Sequence, residues 1–301
     1  MNGWMLGVTT MDELDVPVAG GSLRVCRWRG SGPVVIAAHG ITANALAFGR
    51  VAEALRGRVQ LVAPDLRGRA GSARLPGPYG MAAHAADLMA VADHLRLDRV
   101  PLVGHSMGGF VVASTAAAYP DRVAGVLMVD GGVALPVPPG LDIDAVLHAV
   151  IGPAMQRLSM TFPSPGAYLE FFRAHPALGP DWGPAAEAYV LRDLTGTEPE
   201  LRSSCALQAI RADATDTLLT ESTVQAVHRL KCPARLIWAP RGLQNENQGL
   251  YDRERLNAAG LDTDRVAVEQ VPDVNHYSIL LAGHGAELVA DRIVELASTS
   301  T

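Results

Sequence analysis

Lysine is almost missing from this 301-residue chain: Lys231 is the single one, and the arginines are scattered rather than clustered. With a formal net charge of −6 there is no basic stripe to meet a phosphate backbone, so nucleic acid is not an expected partner. Cysteine is scarce as well. Cys26, Cys205 and Cys232 lie far apart, form no CxxC and are odd in number, which excludes a disulfide framework or a cysteine-built zinc site and predicts buried thiols in a reducing compartment. Long apolar runs are lacking; the best, Pro33 to Ala38 and Gly125 to Val129, fall far short of the roughly 20 residues a bilayer span needs. The first 23 residues hold no Lys or Arg but carry Asp12, Glu13 and Asp15, so the basic start of a secretory signal is absent and a cytoplasmic location, away from membranes, is expected. Aromatics make up only 5%, yet 49% of residues are apolar. That is enough to bury a sizeable core, and general disorder is excluded.

Short apolar runs bounded by turn residues recur at Leu23 to Trp28, Val34 to Ala38, Leu61 to Ala63, Val100 to Val103, Gly125 to Val129, Leu236 to Ala239 and Val266 to Val271. They read as strands, most of them buried on both faces. Between them lie stretches of helical spacing: Ala43 to Leu55, Met81 to Leu95, Gly108 to Tyr119 and Gly285 to Leu296. The alternation predicts a mostly parallel, doubly wound α/β sheet. It breaks after Asp130, where nine of the twenty prolines fall between Pro136 and Pro184 among Phe162, Tyr168, Phe171, Phe172 and Trp182. No strand is expected there. Ile143 to Leu158, Ala167 to Ala174 and Ala185 to Leu194 read as helices, so residues 136–220 form a predicted helical cap inserted into a core of residues 1–135 and 221–301, roofing the carboxyl edge of the sheet.

The sharpest chemical feature is Val100-Pro-Leu-Val-Gly-His-Ser-Met-Gly-Gly109, a buried strand running through a GxSxG turn into a helix. A serine hydroxyl is a weak nucleophile and needs such a turn to hold it clear of the sheet. Gly104 and Gly108 remove the β-carbons that would clash, and the Met107 amide faces an oxyanion formed on attack at Ser106.

Four segments in this order resemble the α/β-hydrolase superfamily: His39-Gly40-Ile41-Thr42, Asp65 to Ser72, Gly104 to Gly109, and Asn275-His276-Tyr277. The likeness runs through nearly all of the chain except the insertion. It implies an oxyanion hole of the Ile41 and Met107 amides, with His276 as the base. His39, Asp65 and Arg67 are expected to be structural, and His105 to be structural or to line the pocket. His84, His94, His148, His175, His228 and His284 are expected at the surface or in packing. The sequence departs from the family at the third member of the triad, because the loop Pro240 to Gly249 after the strand Arg235 to Ala239 contains no Asp. Asp130, at the end of the preceding strand, is the expected acid, with Glu246 as the alternative and Asp252 and Asp273 behind them.

The resemblance implies a serine hydrolase that cleaves an ester, lactone or thioester of a mainly apolar small molecule through an acyl-enzyme, without metal or organic cofactor. Carbon–carbon bond hydrolysis, a cyclising thioesterase of natural-product metabolism and non-catalytic ligand binding are the alternatives. Epoxide hydrolase and haloalkane dehalogenase chemistry is disfavoured, because those relatives carry Asp where this chain has Ser106. Phe171, Trp182 and Tyr277 are expected to line the substrate pocket. A small molecule is the expected partner, and self-association into a homo-oligomer is left open.

Overall fold

A computed structural model describes residues 4–6, 9–134, 152 and 154–299. The chain starts on three antiparallel strands, β1 (Trp4–Leu6), β2 (Thr9–Val18) and β3 (Gly21–Trp28). Strands and helices then alternate through β4 (Val34–Ala38), α1 (Gly49–Leu55), β5 (Gln60–Pro64), α2 (Met81–His94), β6 (Val100–His105), α3 (Met107–Ala118) and β7 (Val123–Val129). After α4 (Pro165–Arg173), α5 (Pro184–Arg192), the short pair β8 (Leu194–Thr195) and β9 (Arg202–Ser203), α6 (Leu207–Leu219) and α7 (Glu221–Val224), alternation resumes. It continues with β10 (Ala234–Trp238), α8 (Arg253–Ala258), β11 (Val266–Gln270), α9 (Ser278–Leu281) and α10 (Gly283–Ser298).

The main sheet has the order β1-β2-β3-β5-β4-β6-β7-β10-β11, parallel from β5 to β11. The central strands β6 and β7 are buried along their whole length, as their unbroken apolar runs require. The apolar side chains divide into two cores: one packs beneath α1 and α10, the other beneath α2 and α3. From β4 the chain steps outward to β5 and then returns to β6 on the other side of β4. The connections leaving β4 and β6 therefore diverge, and a crevice opens between the carboxyl ends of these two strands. Residues 39–42 follow β4 and Ser106 follows β6, so the topology brings the two sequence motifs together.

Two expectations need correction. The segment between β7 and β10 is not free of strands: β8 and β9 pair as Leu194 with Ser203 and Thr195 with Arg202, and Phe162 bridges Leu201. β11 is not buried on both faces, since Ala267, Val268 and Gln270 are exposed at the sheet edge. Part of the expected helix Ile143 to Leu158, together with His148, lies outside the described residues; residues 154–158 are helical. The thiols of Cys26 and Cys232 are buried, whereas Cys205 is half-buried. Among the described residues no helix is long and apolar enough to cross a membrane.

The segment between β7 and β10 is tied down by charge. Arg192, at the end of α5, grips Asp65 beyond β5 through Nε and Nη2 at 2.7–3.1 Å and reaches Glu13 on β2 at 2.6 Å. Asp65 is fully buried and also accepts from the amides of Ala45 and Gly71. Arg67 pairs with Asp87 of α2 in two parallel bonds of 2.6 and 2.8 Å, a geometry that a guanidinium fork and a carboxylate favour.

Candidate active site

Ser106 has φ 57° and ψ −124°, a left-handed backbone that L-residues with a β-carbon adopt only where the surroundings impose it. The imposition comes from crowding. A β-carbon on Gly108 would lie 2.0 Å from the Ala38 carbonyl oxygen, and one on Gly104 would lie 2.0 Å from that of Gly108. Only glycines let β6, the turn and α3 approach so closely. The turn is pinned by the Ser106 amide donating to Val129 at 2.9 Å and the Gly109 amide donating to the Ser106 carbonyl. The side chain at its tip is half-buried and faces a cavity it shares with His276.

His276 lies between β11 and α9 in a loop organised by Asn275. The Asn275 amide oxygen accepts from the Tyr277 and Ser278 amides at 2.9 Å, while its Nδ2 donates to the Ala177 carbonyl at 3.1 Å. His276 Nδ1 is 2.6 Å from Asp130 Oδ2. Asp130 directly follows β7, has φ 46° and is fully buried. Its other oxygen accepts from the Ala239 amide at 3.0 Å, and its own amide donates to Ile237. With a carboxylate at Nδ1, that nitrogen carries the proton and Nε2 is left as the lone-pair base. Glu246 is exposed, and its carboxylate accepts from the Gln244 amide at 2.6 Å. Asp252 caps α8 by accepting from the Arg255 amide. Of the four carboxylates considered from the sequence, Asp130 is the one hydrogen-bonded to His276.

The loop after β4 comes close to the serine, where a β-carbon on Gly40 would lie 3.5 Å from Ser106 Oγ. His39 braces this loop: Nδ1 donates to the Gly40 carbonyl at 2.8 Å and Nε2 accepts from the Leu66 amide at 2.9 Å. Burial pushes its pKa down to about 3, so the ring is neutral. The Ile41 and Met107 amides donate to no other group among the described residues. Both residues are held by Arg69, which the sequence reading passed over. Its fully buried guanidinium donates to the Ile41 carbonyl at 2.9 Å, approaches the Met107 sulfur at 3.9 Å and pairs with Asp213 on α6. Asp213 also accepts from His84 at 3.0 Å and from the Gly80 amide at 2.6 Å. Nothing in the sequence could pair Arg69 with an aspartate so far along the chain, although its position within Asp65 to Ser72 was a signal.

His105 is buried against His276, with ring centroids 4.7 Å apart, and its Nε2 donates to the His276 carbonyl at 2.8 Å. Burial holds its pKa well below the usual imidazole range, so it acts as a neutral brace for the His276 backbone. Tyr277 and His105 line the cavity beside Ser106. Phe171 lines a larger adjoining space of about 140 Å³, as does His175, which the sequence reading had left at the surface or in packing. Trp182 reaches none of these spaces. It packs over the core beside α1, with the Arg173 guanidinium 5.3 Å from its ring, and faces a separate depression shared with Arg50 and Leu281.

Residues 33–150 match the profile of the alpha/beta hydrolase fold family. An uncharacterized protein of Mycobacterium tuberculosis is 35% identical over 112 residues, which is 37% of this chain and 33% of that protein. The lipase LipV of the same organism is 38% identical over 114 residues, 38% of this chain and 43% of the lipase. The match thus spans well under half the length of these curated relatives. The crystal structure of E-2-(acetamidomethylene)succinate hydrolase superposes with a TM-score of 0.76 at 22% identity, covering 96% of this chain and 99% of that one. The strand order, the strained serine turn and these likenesses agree: the chain has the α/β-hydrolase fold, and residues 33–150 match that family's profile.

Proposed function

We propose that this chain is a serine hydrolase acting on ester-type bonds, and the observation that carries the reading is the Asp130–His276 pair facing the same cavity as Ser106. Ser106 Oγ attacks the acyl carbonyl carbon while His276 Nε2 takes its proton. The carbonyl oxygen becomes an oxyanion received by the Ile41 and Met107 amides, the latter at the positive end of α3. His276 returns the proton to the leaving oxygen or sulfur as that bond breaks, leaving an acyl-enzyme. Water, deprotonated by the same nitrogen, then releases the acid and restores the serine. Asp130 orients the ring and stabilises its cation. A hydroxyl at position 106 fits acyl transfer better than the alkyl-enzyme chemistry of the haloalkane dehalogenases. The relatives' names include a lipase, an N-formylmaleamate deformylase and a fluoroacetate dehalogenase, so the preference for acyl chemistry rests on the serine at position 106 and its partners.

The test is Ser106→Ala against a panel of short chromogenic esters and thioesters. Turnover should fall by at least about a thousandfold with the fold unchanged by circular dichroism, and a fluorophosphonate should label the unmutated protein at Ser106 only. Residual turnover in the folded variant, or labelling at another serine, defeats the reading.

A further inference from the structure

Ser106 lies between two spaces of unlike character. On the side of Met107 and Asp130 the space is about 80 Å³, walled by Phe110, Ala214, Leu218 and Leu250. On the side of Gly40, a narrow space of about 40 Å³ adjoins the larger one of about 140 Å³, and Thr42, Ala154, Tyr189, Leu243 and Tyr277 wall both. Arg157 and Asp193 line the larger space and not the narrow one, so they lie beyond the shared walls as seen from the serine.

These two charges are buried, at 4% and 5% exposure, and they are not equally occupied. Asp193 accepts from Arg157 Nη1, from the Tyr168 hydroxyl at 2.5 Å, from Ser203 Oγ at 2.8 Å and from Ser204 through both Oγ at 2.8 Å and the amide at 3.1 Å. That fills the roughly four lone-pair sites of a carboxylate. The guanidinium has about five N–H donors. Nη1 serves Asp193 and Tyr168, while among the described residues Nη2 makes one contact, 3.5 Å from the Thr42 carbonyl, at the outer limit of a hydrogen bond. The Tyr277 phenol, which can both donate and accept, also lines this space. Glu246, whose carboxylate accepts from the Gln244 amide, lines the exposed side of this space. Among the described residues the guanidinium on the inner wall thus has more donors than acceptors, and a buried donor is best satisfied by an acceptor in whatever fills the space.

We infer that the larger space is a specificity subsite for the far end of the acyl chain, which presents an acceptor oxygen, as a carboxylate or a carboxamide, to Arg157, while the apolar space takes a short alcohol group. This rests on the proposed acyl hydrolysis at Ser106. The chemistry shared by the two end groups is an oxygen acceptor on a short acyl chain.

Three ethyl esters of matched length test it: ethyl hydrogen glutarate, its monoamide and ethyl hexanoate. Both oxygen-ended esters should exceed ethyl hexanoate in kcat/KM by at least about tenfold, and the order of the first two separates a carboxylate from an amide substrate. Arg157→Met made together with Asp193→Asn, so that no carboxylate is left unpaired, should bring the three values to within about twofold of one another. Fluorophosphonate labelling counts the competent sites in each preparation. Equal turnover of all three esters by the unmutated protein, or a preference that survives in the labelled double variant, overturns the subsite and leaves the hydrolase reading intact. Binding provides the complementary arm. Glutaramate or glutarate should raise the Tm of Ser106→Ala and hexanoate should not, with the effect lost when Arg157→Met and Asp193→Asn are added. Binding without turnover of any ester overturns the hydrolase reading and upholds the subsite; neither binding nor turnover overturns both.

Discussion

Asp130 reaches His276 from the strand before the one whose loop usually supplies the acid, and the geometry explains how this works. β7 and β10 are neighbours, with Ile237 opposite Val129, so a residue one step past β7 lies beside the end of β10. The Ala239 amide then fixes the second carboxylate oxygen, which prevents the side chain from rotating away. An imidazole that becomes a cation needs such a fixed carboxylate to set its tautomer. Asp130→Asn should therefore lower turnover by roughly three to four powers of ten, while Glu246→Gln should change it by less than about threefold. Steady-state rates corrected for active sites by fluorophosphonate titration decide it, and the reverse ranking would place the working acid in the Pro240 to Gly249 loop. At this scale the sequence was informative wherever chemistry and local turn geometry coincide, as at Ser106 and His276. It was uninformative for Arg69, Arg157 and Asp193, because what makes each of them matter is a partner brought up by the tertiary fold.

Elements buried on both faces announced themselves as unbroken apolar runs, and β4 begins and ends where its run does, at Val34 and Ala38. β2 did not. Its sequence alternates Met11, Glu13, Asp15 and Pro17 with Asp12, Leu14 and Val16, and only Met11 and Val16 are buried, so acidic residues on a half-covered strand masked the pattern. α6 was missed for a related reason: it buries only Ala209, Ile210, Asp213 and Ala214, and one of those four is charged. The segment between β7 and β10 separates two kinds of aromatic residue, and they should respond differently to truncation. Phe171 sits on α4 against Phe162 and Phe172 and lines the larger space beside the site. Trp182 packs on the core under Arg173, away from Ser106. Phe171→Ala should alter the ratio of kcat/KM for bulky over short acyl esters by about tenfold or more. Trp182→Ala should leave that ratio unchanged and lower stability by roughly 1–3 kcal/mol, since it removes a half-buried ring and its cation contact. Paired substrate profiles and denaturant melts of the two variants check this, and matching behaviour would mean that both rings are simply core.

For the whole molecule, two buried histidines govern the first part of the acid-side pH dependence of stability. His39 is held neutral by burial with its pKa near 3, and His105 is held well below the ordinary imidazole value of 6.5 by the same cause. Both are depressed in the folded state, so the unfolded chain binds more protons wherever the pH lies below about 6.5. Folding stability from these two groups is thus fully present above that value and is lost progressively as pH falls toward their folded pKa values. Each contributes a slope of about 1.4 kcal/mol per pH unit within the window. Asp213, held at about 2 against an ordinary 3.8 chiefly by His84 and Arg69 working against its burial, has the same sign but acts only below about pH 4. Between pH 7.5 and 5.5 the two histidines together should therefore remove on the order of 2–3 kcal/mol from the unfolding free energy. His39→Gln, which keeps a side chain able to donate to Gly40 and accept from Leu66, should remove about half of that dependence, whatever it costs at neutral pH. Urea titrations followed by circular dichroism at half-unit pH steps measure both slopes. A flat profile over this interval, or an unchanged slope in the variant, would mean that these rings gain protons in the folded protein as readily as in the unfolded chain, and that the loop behind Ser106 yields enough to solvate them.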